Sequence, residues 1–270
     1  MHLYRENVIV RIQGGLGNQL FQYAAGKSLS LRLGVQLILD LNWYIDNSNF
    51  KFILNRFHVN DRSWAPSEKI PKRIRTALYK LSGKIAPTGL TLPVLKDIDF
   101  EFNYDLLSIQ SPVLLDGYWQ NESYFKEHRK ELLELLTIKG EIDSDNNQLL
   151  NKIKNSNSIC IHIRRGDYIT NSNAARINGV CSKDYYFRAF NILSMHIESP
   201  ICFVFSDDPE WVKSNLEFDC ETIFVDINSI DKPEFDFLLM KSCKYFIIAN
   251  STFSWWAAWL ANYKNKQVIA

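Results

Sequence analysis

VRIQGGLGNQLFQYAAG, residues 10–26, runs an apolar strand into a glycine-rich turn and then into a helix. Val8 to Gln13 reads as a buried strand, and Leu20, Phe21, Ala24, Ala25 and Leu29 recur at helical spacing from about Asn18 to Leu33, where Gly34 closes the helix. Gln36 to Asp40 is the next apolar strand, so the segment is one β-α-β unit. A dinucleotide fingerprint would continue Gly15-x-Gly17 to a third glycine, but Leu20 stands there. The turn therefore points to a ligand other than NAD.

Outward from this unit the pattern changes twice. Residues 42–66 read as a loop rich in aromatic side chains (Trp43, Tyr44, Phe50, Phe52, Phe57, Trp64), and residues 68–84 as a basic, helical stretch. Val113 to Asp116 is another strand, followed by a helix expected over 123–136. The polar runs at 143–147 and 155–158 bracket one more short helix and place a domain boundary there, giving halves of 1–155 and 156–270. Strands and helices then alternate regularly: strands at 159–163, 201–205, 222–225, 245–249 and from 267, with helices at 185–196, from 210, from 234 and at 254–260. Such alternation predicts an α/β architecture with parallel sheets covered on both faces. The sequence stops at Ala270 inside what reads as a buried strand, which suggests that the native chain continues.

Bulk composition excludes several classes. With 31 basic and 30 acidic residues the net charge is +1, so nothing in the total favours nucleic acid or an anionic membrane as main partner. Five cysteines (Cys160, Cys181, Cys202, Cys220, Cys243) lie scattered without C-x-x-C spacing, which fits a reducing cytosol. No charged-then-apolar leader opens the chain, and no apolar run approaches the roughly 18 residues of a membrane span. The expectation is a cytoplasmic protein, with peripheral membrane association left open; in that compartment the sequons at Asn121 and Asn250 would carry no glycan.

In doubly wound sheets ligands sit beyond the carboxyl ends of strands. Four strand-end loops stand out: Gly14 to Asn18, HIRRGDY (162–168), SDD (206–208) and NSTFSWW (250–256). Singly, each has an ordinary reading as a tight turn, a surface ion pair or a helix cap. Together they supply the chemistry of a nucleotide diphosphate site. Arg164 can grip phosphate oxygens bidentately, and Ser251 and Thr252 at a helix start suit the same anion. An aspartate at a strand end can accept from the N–H edge of guanine, which points to GDP. No His, Cys, Asp and Glu cluster has metal-ligand spacing, so no metal is expected.

The motifs GGLGNQLFQYAAG, GYWQNESYF, HIRRGDY, FSDD and NSTFSWWAAWL resemble, in order and over most of the chain, those of the bacterial α-1,2-fucosyltransferases of glycosyltransferase family 11. The resemblance implies a GT-B-like fold of two Rossmann-like halves. GDP-β-L-fucose, a co-substrate rather than a cofactor, would be held mainly by the C-terminal half. An oligosaccharide or glycolipid acceptor, with a terminal β-galactose, would approach from the N-terminal half, and transfer would invert the anomeric carbon without a metal. Residue by residue it implies that Arg164 neutralises the β-phosphate of the leaving GDP, with His162 facing the nucleotide and Arg165 supporting the loop. Asp207 or Asp208 would read guanine, Ser251, Thr252 and Phe253 would wrap the diphosphate, and Asn18 would reach toward the donor. Asp167 is the nearest motif carboxylate for the acceptor hydroxyl proton, although some related enzymes manage with no obvious base.

Two other classes compete. An NAD-type oxidoreductase would use Gly15-x-Gly17 on phosphate and Asp40 on ribose, but it leaves HIRRGDY and NSTFSWW without a role. A non-catalytic carbohydrate-binding protein would use the aromatic loop 42–64, with Arg165-Gly166-Asp167 as an adhesion tripeptide.

Overall fold

The computed structural model describes residues 7–64, 93–97, 101–166, 179 and 181–270. The chain forms two compact units, Met1–Lys139 and Gly140–Ala270. This division falls earlier in the chain than the boundary expected near residue 155. The helix between the two polar runs packs on a strand and a helix of the second unit.

In the first unit, strands β1 (Asn7–Arg11), β2 (Gln36–Asp40), β3 (Arg62–Trp64), β4 (Val94–Lys96) and β5 (Val113–Asp116) form a parallel sheet in the order β3-β2-β1-β5-β4. Helix α1 (Leu16–Leu33) begins two residues before the expected start, because Gly15 takes the extended N-cap conformation (φ −78°, ψ 176°). Gly34 ends it in the left-handed region, φ 67°. The close packing that a third fingerprint glycine would give is supplied further along by Gly26, where a Cβ would stand 2.9 Å from Val10 Cγ1 and 3.0 Å from Leu37 Cδ1. The aromatic stretch carries the short helix α2 (Trp43–Asp46) and strand β3. The helix expected over 123–136 is instead two single 3-10 turns and the short α3 (Arg129–Leu135), since Tyr124 and Phe125 are buried in the core. Residues 68–84 lie outside the described residues.

The second unit opens with α4 (Ser144–Lys154) and repeats the scheme: β6 (Asn157–Ile163), α5 (Lys183–Ser194), β7 (Pro200–Ser206), α6 (Pro209–Asn215), β8 (Glu221–Val225), α7 (Pro233–Lys241), β9 (Tyr245–Ile247), α8 (Thr252–Leu260) and β10 (Gln267–Ile269). Its parallel sheet runs β10-β9-β6-β7-β8. Ile159, Ile161, Cys202, Val204 and Ile247 meet Tyr186, Phe190 and Leu193 of α5 in one buried cluster. β10 is not the buried strand expected: it lies at the sheet edge and is largely exposed.

Each strand order contains one reversal. In the first sheet it falls between β1 and β5, in the second between β6 and β9. The carboxyl ends of strands at such a reversal frame the crevice where open α/β sheets bind ligands.

Candidate functional site

β6 is buried along nearly its whole length, so its last residues are fixed. Ile163 pairs with Ser206 of β7, and the two loops that follow leave the sheet side by side. They are tied together by one carboxylate. Asp207 Oδ2 lies 3.1 Å from Arg164 Nη1 and accepts the Gly166 N–H at 3.0 Å, while Oδ1 accepts the Arg165 N–H at 2.8 Å. A Cβ at position 166 would stand 2.9 Å from Asp207 Oδ2, so a side chain there would push the carboxylate aside.

The neighbouring arginines do different things. Arg165 is 16% exposed, with its guanidinium carbon 3.5 Å above the Trp211 ring and Nε 3.3 Å from Asp208 Oδ2. Asp208 also caps α6, its Oδ1 accepting the Trp211 N–H at 3.3 Å. Arg165 is thereby committed to its own loop. Arg164 is 36% exposed, and its guanidinium meets Asp207. A partly exposed, planar cation held by a carboxylate suits an incoming oxyanion.

His162, one residue from the end of β6, is buried, and its Nδ1 meets no hydrogen-bond partner among the described residues. Burial, and then the Arg164 charge, push its pKa down to about 3, so the imidazole is neutral at physiological pH. Its ring centroid lies 5.9 Å from that of Phe253, the second residue of α8, the helix that follows β9. The sheet reversal thus brings His162 and Phe253 together. Ser251 caps α8 by accepting the Phe253 N–H at 3.3 Å, and Thr252 opens the helix beside it. Trp256 is fully buried, and Trp255 and Trp259 stack at 6.1 Å, so this aromatic run builds the helix packing. Asp167 lies outside the described residues.

In the first unit the glycine turn after β1 has Gly14 at φ +76°, and a Cβ there would lie 2.9 Å from Asn18 Nδ2. Asn18 Oδ1 accepts from Gln120 Nε2 at 3.0 Å. Buried Gln19 donates to the carbonyls of Gly14 (3.0 Å) and Lys51 (2.8 Å) and accepts the Ile53 N–H (2.9 Å). Tyr44 donates to the same Gly14 carbonyl at 3.0 Å, so the aromatic loop is fastened to the glycine turn. Asp40, the ribose ligand of the oxidoreductase reading, is buried against Arg11 and accepts the Asn42 N–H. It has no access to a cofactor there. Gln120 carried no role in the sequence reading; its signal is its place in the GYWQN loop that leaves β5, the strand that flanks β1.

A model of glycosyl transferase family 11 matches residues 95–270. The chain belongs to glycosyltransferase family 11. Among relatives, an alpha-1,2-colitosyltransferase of Escherichia coli is 36% identical over 258 residues, covering 95% of this chain and 88% of that one. The O-antigen biosynthesis glycosyltransferase WbnK of Escherichia coli is 33% identical over 279 residues, covering 96% and 92%. A solved structure described as NodZ alpha-1,6-fucosyltransferase soaked with GDP-fucose superposes with a TM-score of 0.57 at 14% identity, covering 95% of this chain and 93% of that one. The fold is GT-B-like, of two parallel-sheet α/β halves, and this family 11 member is a glycosyltransferase. No described helix is long and apolar enough to cross a membrane. Among the described residues no group of His, Cys, Asp or Glu is arranged to hold a metal ion.

Proposed function

We propose that this glycosyltransferase is a galactoside α-1,2-L-fucosyltransferase, moving fucose from GDP-β-L-fucose with inversion onto a terminal β-galactose of a glycan or lipid-linked oligosaccharide. The observation that carries the reading is the Arg164 guanidinium, anchored by Asp207 at the β6/β9 reversal beside His162 and the start of α8. As the bond from sugar to phosphate breaks, negative charge grows on the β-phosphate, and a cation fixed in advance stabilises it most at that moment. Ser251, Thr252 and Phe253 line the start of α8, where backbone N–H groups favour the same anion. The buried Nδ1 of His162 supports a contact with the nucleotide.

Lone-pair accounting separates the two aspartates. Asp207 already receives three donors, whereas Asp208 receives two, one on each oxygen. Asp208 therefore has the capacity to read the two guanine N–H groups, and Asp207 holds the arginine loop. Asn18 contacts substrate from the glycine turn, and Asp167 is the candidate base. Phosphate charge is met by arginine and backbone rather than by a metal, and no cofactor takes part. A lipid-linked acceptor would bring the protein to the inner membrane surface of the cytoplasm. The colitosyltransferase relative supports a second donor, since colitose is a deoxy analogue of fucose.

The test is calorimetric titration of GDP, UDP, ADP and NAD, followed by transfer assays with GDP-fucose and GDP-colitose onto β-galactosides. Preferential GDP binding and α-1,2 product from one donor support the reading. NAD binding without GDP binding would reject it.

A further inference from the structure

The GYWQN stretch, residues 117–121, leaves β5 at the reversal of the first sheet, opposite the glycine turn that leaves β1. Its backbone is held in an uncommon shape. Trp119 is fully buried at φ 58°, a conformation that a bulky residue adopts only when its surroundings impose it. The brace is Asp97, whose Oδ2 accepts the Trp119 N–H at 2.7 Å. At Gly117 a Cβ would come 2.2 Å from Asp97 Cβ, so the chain passes there only without a side chain. Trp119 also lies edge-on to Tyr124 at 5.3 Å, and its carbonyl accepts the Asn121 N–H. The result of this bracing is the direction of one side chain: Gln120 reaches Asn18.

We propose that Gln120 is a positioning residue that orients the Asn18 amide. The Gln120 Nε2 group donates to Asn18 Oδ1 and so engages the carbonyl end of that amide. Asn18 Nδ2 packs over Gly14, whose missing Cβ makes the room, and the residue stands just past the carboxyl end of β1, at the β1/β5 reversal. An amide locked this way offers N–H to an acceptor oxygen of the substrate. That oxygen belongs either to a phosphate of the sugar nucleotide or to a hydroxyl of the acceptor glycan; with Gln120 Nε2 facing Asn18, the reversed amide would set NH₂ against NH₂ and present an oxygen to an oxygen. The inference rests on the proposed transfer reaction.

The experiment compares Gln120→Met, which keeps the length and removes the donor, with Gln120→Glu, which keeps the shape but only accepts. With Glu, Asn18 must turn Nδ2 toward position 120 and Oδ1 toward the substrate. Each is made alone and together with Asn18→Ala, and KM for donor and acceptor, kcat, GDP affinity by calorimetry and Tm are measured. Gln120→Met is expected to raise one KM about tenfold, the worth of one substrate hydrogen bond, and Gln120→Glu more, with Tm nearly unchanged. In the Asn18→Ala background neither should add a further loss. A donor KM that rises together with the GDP dissociation constant assigns the oxygen to the diphosphate; a rise confined to the acceptor KM assigns it to the glycan. The inference is overturned if Asn18→Ala raises neither KM, if both Gln120 variants match wild type, or if their losses persist undiminished without Asn18. A wild-type protein with neither transfer nor GDP binding would reject the proposed reaction, and this inference with it.

Discussion

Replacing Asp207 by Asn removes one charge and changes little in volume, and its consequences can be worked from three contacts. In the native loop the Asp207 carboxylate faces donors only: Arg164 Nη1 and the Gly166 N–H on Oδ2, and the Arg165 N–H on Oδ1. An amide keeps one acceptor oxygen. Whichever way it turns, its NH₂ confronts either the Arg165 N–H or the Gly166 N–H and guanidinium pair. The fold loses about one net hydrogen bond, worth on the order of 1 kcal/mol. The ion pair adds little to this, because Arg164 is 36% exposed and its charge is screened. The rate should suffer more than stability. Arg164 would lose its ion pair with Asp207 while keeping its charge, so kcat should fall by about 10- to 100-fold, short of the 10² to 10³ expected when the preorganised donor itself is deleted. Steady-state transfer at saturating donor and acceptor, with Tm recorded alongside, measures both effects. If Asp207→Asn kept kcat within a factor of two but bound GDP no better than UDP, Asp207 would be the guanine reader and its role as anchor would be refuted.

Asp208→Asn should leave kcat at saturating donor nearly intact, since Asn is a good helix cap, while the preference for GDP over UDP and ADP in competition assays drops about tenfold or more. His162 is held neutral in the folded protein with its pKa lowered from 6.5 to about 3, so the unfolded chain binds the extra proton first. Stability should therefore be full above about pH 6.5 and decline progressively as pH falls toward 3, and His162→Phe should flatten that slope in denaturant titrations across the range. Transfer in excess EDTA should proceed at the untreated rate; loss on chelation, restored by Mg²⁺ or Mn²⁺, would call for a metal at the diphosphate.

What the sequence revealed follows the strength of local signals. β1, α1 and β2 were readable because buried parallel strands are continuous apolar runs and α1 keeps strict helical spacing. β3 and β4 are three-residue strands flanking the sheet, too short to show a pattern. The 123–136 segment carries helical spacing, yet burial of Tyr124 and Phe125 breaks it into tight turns. The four strand-end loops could be named from sequence, but their division of labour could not. That Arg165 lies on Trp211 while Arg164 meets Asp207 depends on partners some 40 residues away, placed by the pairing of β6 with β7. Gln120 was hidden for the same reason, since its partner Asn18 is 102 residues distant.

The central claim is that Arg164 stabilises the departing nucleotide diphosphate, and Arg164→Ala tests it most directly. The measurement is kcat for transfer from GDP-fucose to a β-galactoside by a variant whose Tm shows it to be folded. The account predicts a fall on the order of 10² to 10³, poorly rescued by Arg164→Lys, because a point charge cannot reproduce two parallel hydrogen bonds. A folded Arg164→Ala protein with kcat within a few-fold of wild type would contradict it.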